Sequence, residues 1–424
     1  MLNMSFLKVR SDTLSLIFYF NLLVFFQIFV LSDINFVHDY YLFSPGALIR
    51  YIWVLPLVIT TALYVPKFSR PSDLSVALLA ITPVIPQYCY YAVHGGNFIY
   101  IFSVFLGFLT FVYSRRIKLS LVTNFEIRFM HFLLLLVIVV LMQVVLLLMN
   151  FRVYSFFEIL SNLYAVRASV YESNITSILH YTNSWVYTII IPFLSLVFIA
   201  NRNWIIVGCL AAIQFLFFLA LAHKTIIISP VIIIAIYFAL VLERGFVKLF
   251  LLTSCVIVLA TLSYLFLGDT ILSVVFVRRI LFVPAMLNHH YHEFFLDKEY
   301  VLYSHSILSS LFEYPFAETY QRLIGKYLFG SWSQAWANTG IFGTGFMHFG
   351  YFGIILFCFI LGLLCSFIDG CKISQGSPKI VASALGFPLS IIFTSADLFS
   401  GLLTNGFLIM MIILILCGRA KNLP

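Results

Sequence analysis

Charged residues are scarce in this chain, and their scarcity excludes an ordinary soluble fold. Asp, Glu, Lys and Arg together make up 9% of the 424 residues, against about 25% in an average soluble domain. Apolar residues make up 62% and the mean hydropathy is +1.07, so there are too few polar side chains to cover a globule of this size in water. We therefore predict that residues 1–424 form a single integral membrane domain.

Several signatures of soluble enzymes are also missing. The chain contains no GxxxxGKS/T phosphate loop, no dinucleotide fingerprint and no GxSxG nucleophile elbow, which argues against an ATP-driven machine and gives no reason to expect a cofactor. The net charge of +8 comes from small basic clusters between apolar blocks, so no nucleic-acid partner is expected. None of the seven cysteines falls in a predicted external loop, so no disulfide framework is implied.

Long apolar runs such as residues 129–149 indicate transmembrane helices, because a bilayer core needs about 20 apolar residues per helical span. The runs are solid rather than alternating, which excludes the strands of a membrane barrel. We predict an all-α polytopic membrane protein with about twelve transmembrane helices. The predicted spans lie near residues 14–31, 47–65, 74–93, 97–113, 129–149, 184–200, 204–221, 226–242, 249–267, 346–367, 380–396 and 402–417.

Lysine and arginine are distributed unequally between the two predicted sides. With both termini in the cytoplasm, the short external turns contain only Arg50 and Lys224, whereas basic residues recur in the cytoplasmic turns, as the positive-inside rule requires. Two external loops are enlarged and cover about residues 150–183 and 268–345. Loops of that length are usually functional or disordered, and the aromatic composition of these two indicates segments that lie on the membrane surface.

Basic residues in the external segments are not explained by topology. Arg278 and Arg279 interrupt the apolar run ILSVVFVRRILFVPAM, where a charge is costly. The planar guanidinium group of arginine suits phosphate, because it gives two parallel hydrogen bonds. Contact with lipid headgroups, or pairing with external acidic residues, is the alternative that stays open. The other external basic residues of this set are Arg152, Arg167, Lys224, Arg322 and Lys326.

The segment NHHYHEFF at residues 288–295 concentrates histidine and glutamate within two helical turns. The spacing matches neither HExxH nor a Cys/His finger, so we predict no metal site. Histidine titrates near neutrality and suits a general base, while a polar interfacial turn is the alternative. Trp332 and Trp336 lie four residues apart and could form one aromatic face for a sugar ring, or anchor the chain in the interface.

Four segments carry a resemblance to a known family. They are YAVRASV at 164–170, AHK at 222–224, VRRILFVPAML at 277–287 and ANTGIFGTGFMHFGYFG at 337–353. With the predicted layout of spans and enlarged loops, the chain resembles the Wzy-type O-antigen and oligosaccharide repeat-unit polymerases over most of its length. The resemblance implies a GT-C-like, metal-independent glycosyltransferase in the bacterial inner membrane, with its active site facing the periplasm.

The resemblance also implies what the site would bind. The enzyme would transfer a growing glycan from undecaprenyl pyrophosphate to another lipid-linked repeat unit. Membrane lipid would surround the enzyme, and whether a chain-length regulator is a further partner stays open. An O-antigen ligase and a lipid-linked oligosaccharide flippase are the alternatives. The expected catalytic residues are Arg278, Arg279, His289, His290, His292 and Glu293. The expected substrate-binding residues are Arg152, Arg167, Lys224, Tyr291, Arg322, Trp332, Trp336 and Asn338.

Overall fold

The computed structural model describes residues 11–34, 38–119, 128–172, 177–241, 245–306 and 308–417. Within these ranges every regular element is a helix and there is no β-strand, and ten helices are long and apolar enough to cross a membrane. The prediction of an all-α, multi-span architecture is therefore confirmed for the part of the chain that is described.

The helices are numbered along the chain. They are α1 (Ser11–Leu31), α2 (Ala47–Tyr64), α3 (Pro71–His94), α4 (Phe98–Ser114), α5 (Phe129–Asn150), α6 (Phe156–Glu172), α7 (Ile178–Ala200), α8 (Trp204–Leu221), α9 (Lys224–Val241), α10 (Phe246–Leu267), α11 (Leu272–Phe295), α12 (Tyr320–Phe329), α13 (Ile341–Gly370), α14 (Lys372–Gly376), α15 (Pro378–Thr394), α16 (Leu398–Leu403) and α17 (Phe407–Leu416). Each of the twelve predicted spans overlaps at least one of these helices, but α4, α15 and α17 are shorter than the ten helices that are long enough to cross a membrane. We call the end of the bundle that carries turns 95–97, 268–271 and 395–406 the outer end.

Helix α11 differs from the sequence-based expectation, which placed its residues in an external loop. It is 24 residues long and apolar enough to cross a membrane. Its contacts, however, stay near the outer end of the bundle. Ser273 donates a hydrogen bond to the carbonyl of Ala260 in α10, Phe282 stacks on Phe26 of α1, and Asn288 accepts from the first turn of α13. Helix α11 therefore runs across the outer end.

Three π-helical segments occur two residues before a proline. They are Ala80–Val84 before Pro86, Val186–Ile190 before Pro192 and Leu272–Phe282 before Pro284. Proline has no N–H group and its ring clashes with the preceding turn, and a wider turn relieves that clash. Such turns also redirect side chains and are frequent at functional sites. The third segment carries Arg278.

Helix α13 is kinked where its glycines lie. Gly350 has a φ of +61°, a conformation that L side chains rarely adopt, and a Cβ at Gly350 would lie 2.6 Å from the Tyr300 hydroxyl. Gly345 and Gly353 meet across the kink, where a Cβ on Gly353 would overlap the Gly345 carbonyl. The kink separates the short arm 341–348 from the long apolar part of α13 and places His348 at the end of that arm.

At the opposite end of the bundle, a buried ionic network joins three helices. Arg115 follows α4, is 2% exposed, and donates to Asp73 at 2.7 Å and to Ser72 at 2.9 Å, both in α3. Asp369 of α13 accepts from the Ser72 amide at 2.9 Å. Because a lone buried charge is costly, this network fixes the ends of α3, α4 and α13 relative to one another.

Candidate active site at the outer end of the bundle

Asp397 is a buried carboxyl group in the turn between α15 and α16. The residue is 4% exposed, and Oδ1 accepts a hydrogen bond of 2.8 Å from the Tyr303 hydroxyl. Burial raises the pKa of Asp397 to about 6, although hydrogen bonds from Tyr303 and the Leu398 backbone act in the opposite direction. A carboxyl group with such a pKa can exchange a proton near neutral pH.

His348 lies beside Asp397 with a fixed tautomer. The backbone N–H of Tyr303 donates to His348 Nδ1 at 3.0 Å, so Nδ1 carries no proton and the neutral ring is protonated at Nε2. Nε2 lies 3.7 Å from Asp397 Oδ1. The N–H of His348 therefore faces the carboxyl group, and Asp397 is the member of the two that is free to take up a proton.

The turn that carries Tyr303 has an unusual backbone. Leu302 and Tyr303 have φ values of +47° and +57°, which cost free energy for residues other than glycine. The turn is held in place because Val301 donates to the Met347 carbonyl at 3.0 Å and the Tyr303 ring stacks on His348 with centroids 3.7 Å apart. These contacts hold the phenol against Asp397.

Aromatic rings also pack beside His348. The His305 ring is nearly parallel to His348, with centroids 5.7 Å apart, and the Tyr320 ring packs edge-on against His305 at 5.0 Å. Burial lowers the pKa of His305 and raises the pKa of Tyr320. Both groups are therefore neutral near pH 7 and supply no charge to balance Asp397.

Asp397 opens into a pocket of about 380 Å³ between α7 and α16. The side of the pocket formed by α7 carries Tyr181 and Trp185, and Trp185 Nε1 donates to the Leu403 carbonyl of α16 at 2.8 Å. Lysine, arginine and histidine are absent from the described lining. The lining residues are Ile178, Tyr181, Trp185, Ser306, Asp397, Phe399, Ser400, Leu403 and Thr404.

The predicted arginines Arg278 and Arg279 lie away from this pocket, on the π-helical part of α11. Arg278 turns inward, with its guanidinium 5.7 Å from the centre of the Tyr41 ring. Arg279 is exposed. The two neighbouring residues therefore have different environments, which the sequence pattern alone did not distinguish.

The predicted histidines lie further along α11, where two of them are buried and one is more accessible to solvent. His289 and His292 are 3% and 2% exposed, and His292 shares a hydrogen bond of 3.0 Å with the Tyr351 hydroxyl. His290 and Glu293 are more accessible and contact each other at 2.9 Å. Among the described residues, no three His, Cys, Asp or Glu side chains are arranged to hold a metal ion.

Arg152 follows α5, Arg167 lies in the second half of α6, and Lys224 begins α9. Arg152 is exposed and contacts Glu158 at 3.4 Å. Arg167 lies close enough to His223 that burial of the imidazole, together with Arg167 and His180, lowers the pKa of His223 to about 4. His180 belongs to α7, and Ile178 and Tyr181 of the same helical turn line the pocket. Arg167 is therefore connected to the helix that lines the pocket only through His223.

The remaining predicted residues lie around α12. The Arg322 guanidinium lies over the Trp336 ring at 5.7 Å, and both Trp336 and Trp332 are exposed. Asn338 is exposed as well. Tyr291 is fully buried and donates a hydrogen bond of 2.6 Å to the Ala337 carbonyl, so its contacts are those of a core residue.

Sequence reasoning missed Asp397, His348 and Tyr303. One indication was available, because Asp397 is the only acidic residue between positions 370 and 424, and acidic residues within apolar membrane segments are often functional. His348 lies in the quoted segment 337–353, where only the glycines were considered. The positive φ of Tyr303 has no counterpart in the sequence pattern.

Comparison with known proteins identifies no relative. No protein family, no curated protein and no solved structure matches this chain. Any functional conclusion therefore depends on the chemistry of the residues themselves.

Proposed function

We propose that this protein polymerises lipid-linked oligosaccharide repeat units by moving a growing glycan from undecaprenyl pyrophosphate to another lipid-linked repeat unit. The observation that carries the proposal is the buried Asp397 carboxyl group at the base of a pocket, held by Tyr303 beside His348. Such a group suits a general base for a sugar hydroxyl, a role worth about 10²–10⁴-fold in rate. The four segments that resemble Wzy-type polymerases support the same activity.

The proposed step is a single displacement. The acceptor hydroxyl oxygen bonds to the anomeric carbon of the donor while its proton passes to Asp397. The bond from that carbon to the pyrophosphate oxygen breaks, and the lipid pyrophosphate leaves with the bonding electron pair. Before the transfer, the N–H of His348 and the hydroxyl of Tyr303 stabilise the ionised carboxylate and orient it. The proposed enzyme is GT-C-like and needs no metal ion.

Charge on the leaving pyrophosphate requires cations near the pocket. Arg167 and Lys224 are the proposed cations, because Arg167 and His180 both lie close enough to His223 to affect its charge, and the helix of His180 also lines the pocket. Electrostatic stabilisation of a leaving group is strongest where water is excluded. Arg278 lies among α1, α3 and α10 and is less well placed for this role.

The proposed location is the bacterial inner membrane, with the pocket facing the periplasm. The apolar helices support a multi-pass membrane protein, and the pocket lies at the end predicted to be external by the distribution of lysine and arginine. A lipid-linked substrate could reach the pocket sideways from the bilayer, because Ile178 and Leu403 of its rim are exposed.

The experiment that tests the proposal is deletion of the gene, followed by electrophoresis of the cell-surface glycan. Loss of a polymerase leaves a single repeat unit on the acceptor, because ligation and flipping continue. A glycan without any repeat unit would instead indicate a ligase or a flippase, and an unchanged ladder of chain lengths would refute all three. Complementation with the wild-type gene has to restore the ladder.

A further inference from the structure

The walls of the pocket present hydroxyl groups that form no hydrogen bond with other described residues. The side chains of Ser306, Ser400 and Thr404 line the pocket, and their hydroxyls form no hydrogen bond with any other described residue. Asp397 adds a carboxylate at the base. Four side chains that can donate to or accept from a polyol therefore converge on a space of about 380 Å³, which is near the lower end of the range for small-ligand pockets, about 300–1,000 Å³.

One wall of the pocket is aromatic and rigidly placed. Tyr181 is 43% exposed and its ring centroid lies 6.5 Å from that of Trp185. The indole N–H of Trp185 donates to the Leu403 carbonyl, which holds the ring against α16 beside the pocket. A pocket lined by both aromatic rings and hydroxyl groups suits a ring that is polar at its edge and apolar on its face.

The charge of the pocket excludes two other parts of a lipid-linked substrate. A pyrophosphate would meet the Asp397 carboxylate without any lysine, arginine or histidine in the described lining, and like charges at short range repel. A polyprenyl tail would bury three hydroxyls and a carboxylate under hydrocarbon, which costs free energy when their hydrogen bonds are unmade. An uncharged sugar ring matches both the polar groups and the aromatic wall.

We propose that this pocket is the subsite for the terminal sugar of the acceptor, with Tyr181 and Trp185 against one face of a pyranose ring and Ser306, Ser400 and Thr404 at its hydroxyl edge. The inference rests on the proposed function for its context, since a terminal sugar bound here offers a hydroxyl to Asp397. It places the acceptor in the pocket and the charged part of the donor outside it, toward Arg167.

The subsite is tested by direct binding rather than by turnover. The purified full-length protein, in nanodiscs of phosphatidylethanolamine and phosphatidylglycerol, is examined by saturation-transfer-difference NMR. The probes are a panel of methyl pyranosides (glucoside, galactoside, mannoside, rhamnoside and N-acetylglucosaminide), glucose 6-phosphate as a charged analogue, and farnesol as a soluble isoprenoid. At least one methyl pyranoside should bind the wild-type protein, and glucose 6-phosphate should bind less tightly than methyl glucoside.

Variants connect the binding to the pocket. Tyr181→Ala and Asp397→Asn should each weaken pyranoside binding at least tenfold, whereas Tyr113→Ala, which removes an exposed tyrosine at the opposite end of the bundle, should leave it unchanged. The inference would be overturned if pyranosides still bound to both the Tyr181→Ala and Asp397→Asn variants. It would also be overturned if only farnesol bound to the wild-type protein and Tyr181→Ala abolished that binding. If the protein polymerises repeat units but binds no pyranoside, the sugar subsite is refuted and the proposed polymerase activity stands. If the protein binds pyranosides in this pocket but makes no polymer, the polymerase activity is refuted and the sugar subsite stands.

Discussion

At the scale of single residues, Asp397 is buried and no lysine or arginine is found among the described residues that line its pocket. Raising a carboxyl pKa from 3.8 to about 6 corresponds to about 3 kcal/mol against the ionised form, at about 1.4 kcal/mol per pH unit. The hydrogen bond from Tyr303 offsets part of the cost of burying the charge. Carboxyl groups with a perturbed pKa are frequent in the clefts of active sites. The proposed role as a general base accounts for a buried carboxyl group at this position.

Activity should depend on pH through Asp397. The base has to be ionised, so the transfer rate should be constant above about pH 7 and fall about tenfold per pH unit below about 6. Because the folded pKa is raised above the unfolded value, protonation of Asp397 favours the folded protein, and the stability contributed by this group increases as the pH falls from about 6 toward 4.

The pH profile is measured with reconstituted protein at saturating substrate. Full recovery of the rate after return from pH 5 to pH 7.5 shows that the loss is titration rather than unfolding. A rate that stays constant down to pH 5 would exclude Asp397 as the base.

Arg167 and Arg152 form a matched pair of external arginines. Arg167→Ala should reduce turnover about 100-fold or more, the order of magnitude for removal of one electrostatic contact to a developing charge. Arg167→Lys should restore only part of it, because an ammonium group lacks the bidentate geometry. Arg152 is exposed and paired with Glu158, so Arg152→Ala should have little effect.

The measurement for the arginine pair is complementation of the deletion strain, with membrane levels checked by immunoblot. If Arg278→Ala abolishes polymer at a normal protein level while Arg167→Ala leaves the full ladder, the pyrophosphate binds beside α11 and not beside the pocket.

At the scale of helices, apolar periodicity and length predicted where most elements lie, because a bilayer demands solid apolar runs of a definite length. Helix α11 was missed since Arg278 and Arg279 interrupt its apolar run and histidines follow. The kink at Gly350 was missed because the glycines of α13 have the same sequence signature whether they serve close packing or a positive φ. That kink positions His348, so the site itself could not be derived from the pattern.

Substitutions of Arg115 and Arg116 test the buried ionic network at the inner end of the bundle, which is the end opposite the outer end. Arg115 is buried against Asp73, and its removal leaves that carboxylate without its cation, so Arg115→Ala should lower the free energy of unfolding by about 3–5 kcal/mol. Arg116 is exposed and lies over the Tyr113 ring at 5.2 Å, so Arg116→Ala should change stability by less than about 1 kcal/mol.

Thermal unfolding in detergent, followed by a thiol-reactive fluorophore, compares the two arginine variants. Equal melting temperatures for both would show that the buried network does not contribute to the stability of the helix ends.

At the scale of the whole molecule, the orientation of the bundle determines which compartment the pocket faces. Reporter fusions at residues 160 and 310 should report the external side, and fusions at residues 120 and 374 the cytoplasmic side, because lysine and arginine concentrate in the turns at the inner end. Residue 120 lies outside the described ranges. A cytoplasmic signal from residue 310 would place the pocket in the wrong compartment for the proposed reaction.

The most direct test of the proposed activity is polymerisation by purified protein in liposomes that contain lipid-linked repeat units, with excess EDTA present. Wild-type protein should form a ladder of chain lengths, and Asp397→Asn should reduce the transfer rate about 100-fold or more while melting at the same or a higher temperature, since it removes a buried charge. Asp269→Asn, a change in a less buried aspartate at the outer end, serves as the control. A full ladder at the wild-type rate from Asp397→Asn, or no ladder from the wild type until a divalent cation is added, would contradict the account.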